Sequence, residues 1–137
     1  MATHSSYRDL RIWQEAVDLA LQVYRVTTGF PKHELYGLSS QMRRAAVSVA
    51  SNIAEGKGRN TDRDFGKFLF QARGSLLELQ TQIAIARGLE YLPEQESSAL
   101  SGDADALGRG LNGLIQAVHG SKRTLANSER RTANDGD

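Results

Sequence analysis

No cysteine occurs among the 137 residues. Disulfides and thiolate metal sites are therefore excluded, and the composition is compatible with a reducing cytoplasm. Proline is nearly absent too: there are two, with Pro31 placed to stop a helix and Pro93 placed to start one. No apolar run approaches the ~20 residues of a membrane span, and residues 1–7 (MATHSSY) lack the apolar region of a signal peptide. Charge of one sign is not in excess either, since the net charge is +1. A single soluble, cytoplasmic domain is expected, large enough to bury its own core.

What the chain does have is helical periodicity. Residues 9–28 place Leu10, Trp13, Val17, Ala20, Leu21 and Tyr24 at i, i+3, i+4 spacing and stop at Gly29-Phe30-Pro31. After a turn-like link at 32–37, a second helix spans 38–55 on Leu38, Met42, Ala45, Ala46, Val49 and Ile53. Glycines at 56 and 58 end it, and Thr61 with Asp64 forms a weak capping box for a third helix over 62–88. That helix carries Phe65, Phe68, Leu69, Ala72, Leu76, Leu79, Ile83 and Ala86. A fourth, over 93–119, carries Leu100, Ala104, Leu107, Leu111, Leu114, Ile115 and Val118 but also four glycines at 102, 108, 110 and 113. No segment alternates with the period of a strand. The expected fold is all-α, an antiparallel up-and-down four-helix bundle over residues 7–120. A flexible arm (1–6) is expected before it and a disordered polar tail (121–137) after it.

Two features point to self-assembly. The seven residues 45–51 (AAVSVAS) contain no long or charged side chain, so even the outward face of the second helix is small. Further apolar stripes also stand opposite the seams just named: Ile12, Leu19, Val23 and Val26 on the first helix, and Phe70, Leu77 and Ile85 with Gly66, Gly74 and Thr81 on the third. A monomer would expose them as patches. Together with Val47 and Ser51 of the second helix, Ile12, Leu19, Val23, Val26, Phe70, Gly74, Leu77 and Ile85 are the expected homo-oligomer interface.

Charge is unevenly spread. Residues 41–73 carry Arg43, Arg44, Lys57, Arg59, Arg63, Lys67 and Arg73 against three acids, a net +4, whereas residues 89–120 hold a net −4. Charge alone favours mutual pairing of these segments, plus solvation, over an anionic partner. No other constellation carries chemistry. His4, His33 and His119 lack metal-ligand spacing, and no metal or cofactor is expected. Glu55-Gly56-Lys57-Gly58-Arg59 lacks the strand and the Gly-Lys-Ser/Thr ending of a phosphate loop. Ser48, Ser51 and Ser75 have no evident base, and Asn52 borders the core, where it can satisfy backbone groups or fix register. An enzyme would need a cavity gathering Glu55, Asn52 and His119, and none is expected. The seven cations are the one site to pursue, and no aromatic-rich RNA-recognition signature interleaves them.

The motifs taken together resemble a known family. The segments DLRIW at 9–13, Phe30-Pro31 with Glu34-Leu35-Tyr36-Gly37-Leu38, Asn52-Ile53-Ala54-Glu55-Gly56 with Gly58-Arg59, and Ala72-Arg73-Gly74-Ser75 with Glu78-Leu79 are similar to those of bacterial four-helix-bundle proteins encoded in intervening sequences of 23S rRNA genes. Lys57 stands where that family often has an aromatic, and the fourth helix matches loosely. The resemblance implies a bundle assembled as a pentamer. It also implies likeness to the accessory variability protein of diversity-generating retroelements, a basic pentameric barrel that binds nucleic acid and a reverse transcriptase. The leading expectation is a non-enzymatic homo-oligomer binding nucleic acid, RNA before DNA, through the seven cations. The alternative is an oligomeric adaptor for a protein partner, its arginines making intersubunit salt bridges.

Overall fold

The computed structural model describes residues 6–134, leaving all but Ser6 of the expected N-terminal arm and the last three tail residues outside the described set. Four helices account for most of it: α1 (Arg11–Thr27), α2 (Leu38–Lys57), α3 (Asp62–Gly88) and α4 (Glu94–Asn134), with short 3-10 turns at Tyr7–Asp9 and Lys32–Glu34. There is no strand among the described residues. Each helix packs on the next and α4 closes back on α1, while among the described residues the diagonal pairs do not meet. The helices alternate in direction. Gln22 reaches Asp103 while Gly110 lies against Ile12. Ser48 meets Ser75 while Gly56 meets Phe65 and Phe68. Gln80 meets Asp105 while Arg73 meets Asn112.

The core seams of α2, α3 and α4 are those the periodicity predicts. Met42, Val49, Ile53, Leu69, Leu76, Leu79, Leu100, Leu107 and Leu111 are fully buried. Packing does not require the α4 glycines at 108 and 110: a Cβ built there would make ordinary van der Waals contact, 3.5 Å from Leu76 and 3.6 Å from Ile12. Across the α2–α3 seam, Ser48 and Ser75 share a 2.8 Å hydrogen bond, and Asn52 Nδ2 donates to the Ser48 carbonyl at 2.9 Å. Thr61 Oγ1 accepts from the Asp64 amide at 3.2 Å, so the capping contact forms.

The first helix is turned inside out relative to the expectation. Ile12, Ala16, Leu19 and Val23 are its buried stripe, so Ile12, Leu19 and Val23 belong to the chain's own core and are not an exposed interface. The seam assigned to the core faces outward: Leu21 is 47% and Tyr24 42% exposed, with Trp13, Val17 and Ala20 half-buried. The reason is chemical. Both stripes are apolar, but Trp13 and Tyr24 carry polar hydrogens that need water or a partner, whereas the aliphatic stripe buries without orphaned groups. Val26 is half-buried. On α3, Gly66 is likewise buried, with Val118 and His119 over it, while Gly74, Leu77 and Ile85 are exposed as the second stripe requires. The α4 backbone is helical over Glu94–Asn134, and the side chains of the expected polar tail lie outside the described residues.

The α3 terminus closes as a Schellman turn. The Tyr91 amide bonds to the Ala86 carbonyl and the Glu90 amide to the Arg87 carbonyl, each at 3.0 Å. Glu90 sits there with φ of 62°, a left-handed conformation that suits glycine and disfavours a residue with a Cβ. Glu90→Gly is therefore expected to stabilise the chain by about 0.5–1 kcal/mol, offset in part by the freer unfolded chain. A higher urea midpoint checks this; an unchanged or lower one refutes it.

Candidate nucleic-acid interface

The seven cations do not form one patch. Arg43 sits at the end of the bundle that holds the 28–37 link. Its Nε donates to Thr27 Oγ1 at 2.8 Å and its guanidinium lies 5.1 Å over the Tyr24 ring, so it clamps α2 to α1. Arg44 is exposed beside it. From there α2 runs ~20 Å to Lys57; Lys57, Arg59, Arg63 and Lys67 lie at the α2–α3 turn and the first turns of α3, and Arg73 stands farther along α3.

At this end each of three phenylalanines carries a cation. Lys57 Nζ stands 5.8 Å over Phe65, the Arg59 guanidinium 4.9 Å over Phe68, and the Arg73 guanidinium 4.9 Å over Phe70. Such contacts contribute roughly 0.5–1 kcal/mol each at exposed sites and, more to the point, hold flexible cations in place. Arg73 Nη1 also donates to Asn112 Oδ1 at 3.4 Å. Arg63 and Lys67, one helical turn apart on α3, are exposed and take no partner among the described residues. They line an open groove of about 780 Å³ with Thr61, Asp64, Phe70, Gln71 and His119.

The expected pairing between the basic middle and the acidic fourth helix does not form. Among the described residues the ion pairs are Arg11 with Glu15 and Arg87 with Glu94, and neither involves the seven cations. Asp103 and Asp105 of α4 take glutamine amides instead, from Gln22 and Gln80, both at 2.9 Å. The cationic end thus keeps its charge available. The α3 N-terminus is not itself an open anion cradle, since Thr61 caps it and Asp62 and Asp64 occupy its first turn.

Sequence reasoning missed the aromatic component. Phe65, Phe68 and Phe70 interleave with Arg63, Lys67 and Arg73 within eleven residues. Two of them also read as core positions, which hid the pattern. His119 has no metal-ligand spacing in the sequence, and nothing there places it beside Phe70. Its ring lies 5.2 Å from that of Phe70, and its Nε2 is buried without a hydrogen-bond partner. Glu55, Asn52 and His119 occupy different settings: Glu55 is exposed on α2, Asn52 is committed to Ser48, and His119 walls the groove. Among the described residues no cluster of three or more acids or histidines suits a metal ion, and no helix is long and apolar enough to cross a membrane.

The fold and this end of it define a helical-bundle protein with a phenylalanine-backed cationic surface. The chain belongs to the 23S rRNA-intervening sequence protein family, whose model matches residues 8–113. It is similar in fold to a protein of unknown function from the S23 ribosomal protein family of Bacteroides thetaiotaomicron, with a TM-score of 0.70 at 18% identity. That match covers 77% of this chain and 98% of the other. No curated protein matches the sequence.

Proposed function

We propose that the protein is a non-enzymatic, homo-oligomeric nucleic-acid-binding protein that contacts phosphates through the cations of the α2–α3 end. The observation that carries this reading is the set Lys57, Arg59, Arg63, Lys67 and Arg73. They are held over phenylalanine rings or left unpartnered, and none forms an ion pair among the described residues. Charges kept free of acids in this way suit a polyanion. Arg44, at the other end of α2, stands apart from this set, and Arg43 serves the bundle. RNA is the ligand to test first.

Assembly supports the same function, because repetition of a weak patch raises avidity. Two apolar surfaces remain exposed. One is a groove of about 370 Å³ between α1 and α2, walled by Trp13, Leu21, Tyr24 and Val47 and floored by Ala50, Ser51 and Ala54. The other is the α3 ridge of Leu77 and Ile85, 57% and 49% exposed, with Gly74 between large neighbours. α1 and α3 occupy diagonal corners, so the two surfaces face different ways and suit a ridge-into-groove contact between successive copies. A pentamer is what the family resemblance implies.

An RNA-binding titration at several salt concentrations, with the assembly mass recorded in the same samples, tests the reading. Wild-type affinity should fall steeply with salt, and Arg59→Glu with Arg63→Glu should weaken it on the order of 10²-fold at low salt while assembly persists. Unchanged binding would reject those residues. No binding at low salt by assembled protein would favour the second reading, an oligomeric adaptor. The apolar α1–α2 groove and the exposed Leu35 and Tyr36 of the 28–37 link would then meet a protein partner.

A further inference from the structure

We propose that the groove beside Phe70 binds the unpaired bases of single-stranded nucleic acid, with Phe70 as the stacking surface and Arg63 and Lys67 tracking the backbone. This rests on the nucleic-acid reading above and adds strandedness to it. The groove, at about 780 Å³, lies within the ~300–1,000 Å³ range of small-ligand clefts. Its floor is not a phosphate site alone. Phe70 is 40% exposed there, held by the Arg73 guanidinium at 4.9 Å and by the His119 ring at 5.2 Å.

A duplex has no use for that ring. Its bases are stacked on one another, and an A-form helix offers a protein phosphates and 2′-hydroxyls. Single strands are held differently, by a cationic groove that follows the backbone and aromatic faces on which successive bases stack. Both parts are present here within two turns of α3. Arg63 and Lys67 project from the turns preceding Phe70, and Gln71 beside it carries both a donor and an acceptor for a base edge. Asp64 is the one acid in the lining and repels a phosphate from the Thr61 side, which leaves the backbone track to Lys67 and Arg63.

Phe70 also stands at one end of the apolar α3 stripe, so an interface role is the competing account. Its surroundings separate the two. Leu77 and Ile85 stand exposed further along α3, whereas Phe70 is bracketed by Arg73 and His119 and opens on a polar groove.

The test uses fluorescence-anisotropy titrations of a labelled oligouridine single strand and of an RNA duplex of equal length. The full chain, Phe70→Ala, Phe70→Leu and Phe70→Trp are compared, with assembly mass recorded in each sample. The wild type should prefer the single strand. Phe70→Ala and Phe70→Leu should both weaken single-strand binding roughly 5- to 100-fold, leaving duplex binding and the salt slope unchanged. Phe70→Trp should retain affinity. Full binding by Phe70→Leu would show that apolar bulk suffices and would overturn the stacking role. An equal loss on duplex, or a fall in assembly mass, would overturn it as well. Absence of binding to either probe at low salt by the assembled wild type would overturn the nucleic-acid reading itself, and this proposal with it.

Discussion

Gly56→Leu is expected to destabilise the bundle by more than ~3 kcal/mol and to disperse the cationic end along with it. Gly56 lies buried in the last turn of α2, and a Cβ built there would sit 2.7 Å from Phe68 Cβ, 3.0 Å from Phe65 Cδ1 and 3.3 Å from the Phe65 carbonyl oxygen. Neither Phe68 Cβ nor a carbonyl oxygen is the far end of a flexible side chain, so α3 itself must move. Even Gly56→Ala sets a gain of about 1 kcal/mol in helix propensity against an overpacking cost of about 1–3 kcal/mol, for a net loss. A leucine adds three more heavy atoms to the same closed gap. Gly102 supplies the contrast, because it is exposed on α4 with nothing within 4 Å. Gly102→Ala should therefore raise stability by up to ~1 kcal/mol.

Urea denaturation followed by circular dichroism checks both variants. A wild-type midpoint for Gly56→Leu would mean that the α2–α3 turn yields freely. The same geometry ties the fold to the site. Phe65 and Phe68 are the rings under Lys57 and Arg59, so displacing them should also lower RNA affinity in any folded population.

Most of the bundle is legible in the sequence because its signals are local. The Thr61 cap lies three residues from its partner amide, and the bounds of α3 follow from that cap and from Gly88. The small side chains of 45–51 foretell close packing without naming the neighbour. The failures all concern choices that periodicity leaves open. α1 carries two apolar stripes of similar width, and the wheel alone does not say which faces the core; the polar hydrogens of Trp13 and Tyr24 are the discriminating signal. Charge counting pairs the α4 aspartates with arginines, whereas the neutral amides of Gln22 and Gln80 take them. The candidate site was half legible. Its cations stand out in the composition of 41–73, but the phenylalanines beneath them double as core residues. His119 reaches the groove only because α4 runs antiparallel to α3 and passes over Gly66.

The second large effect concerns assembly: Leu77→Glu is expected to release smaller species that remain fully helical. Leu77 is 57% exposed in the single chain, so its loss leaves the core untouched, and Leu and Glu differ by only tenths of a kcal/mol in helix propensity. Between copies the situation changes, because a carboxylate pressed into the α1–α2 groove meets Trp13, Val17, Leu21, Ala50 and Ala54 and no cation from that lining. Desolvating it without a partner costs several kcal/mol, which at micromolar protein is enough to dissociate the contact. Leu21→Glu, on the groove side and 47% exposed, should act in the same way. Mixing the two variants then decides the geometry. In a ridge-into-groove contact each variant retains one intact face, so the mixture should form a one-to-one pair that cannot grow, with a mass of two chains. If α3 instead meets α3 across a two-fold axis, Leu21→Glu should stay assembled by itself and mixing should add nothing. A wild-type chain that sediments as a monomer at working concentration would reject self-assembly, and the exposed groove and ridge would then have to be assigned to another protein.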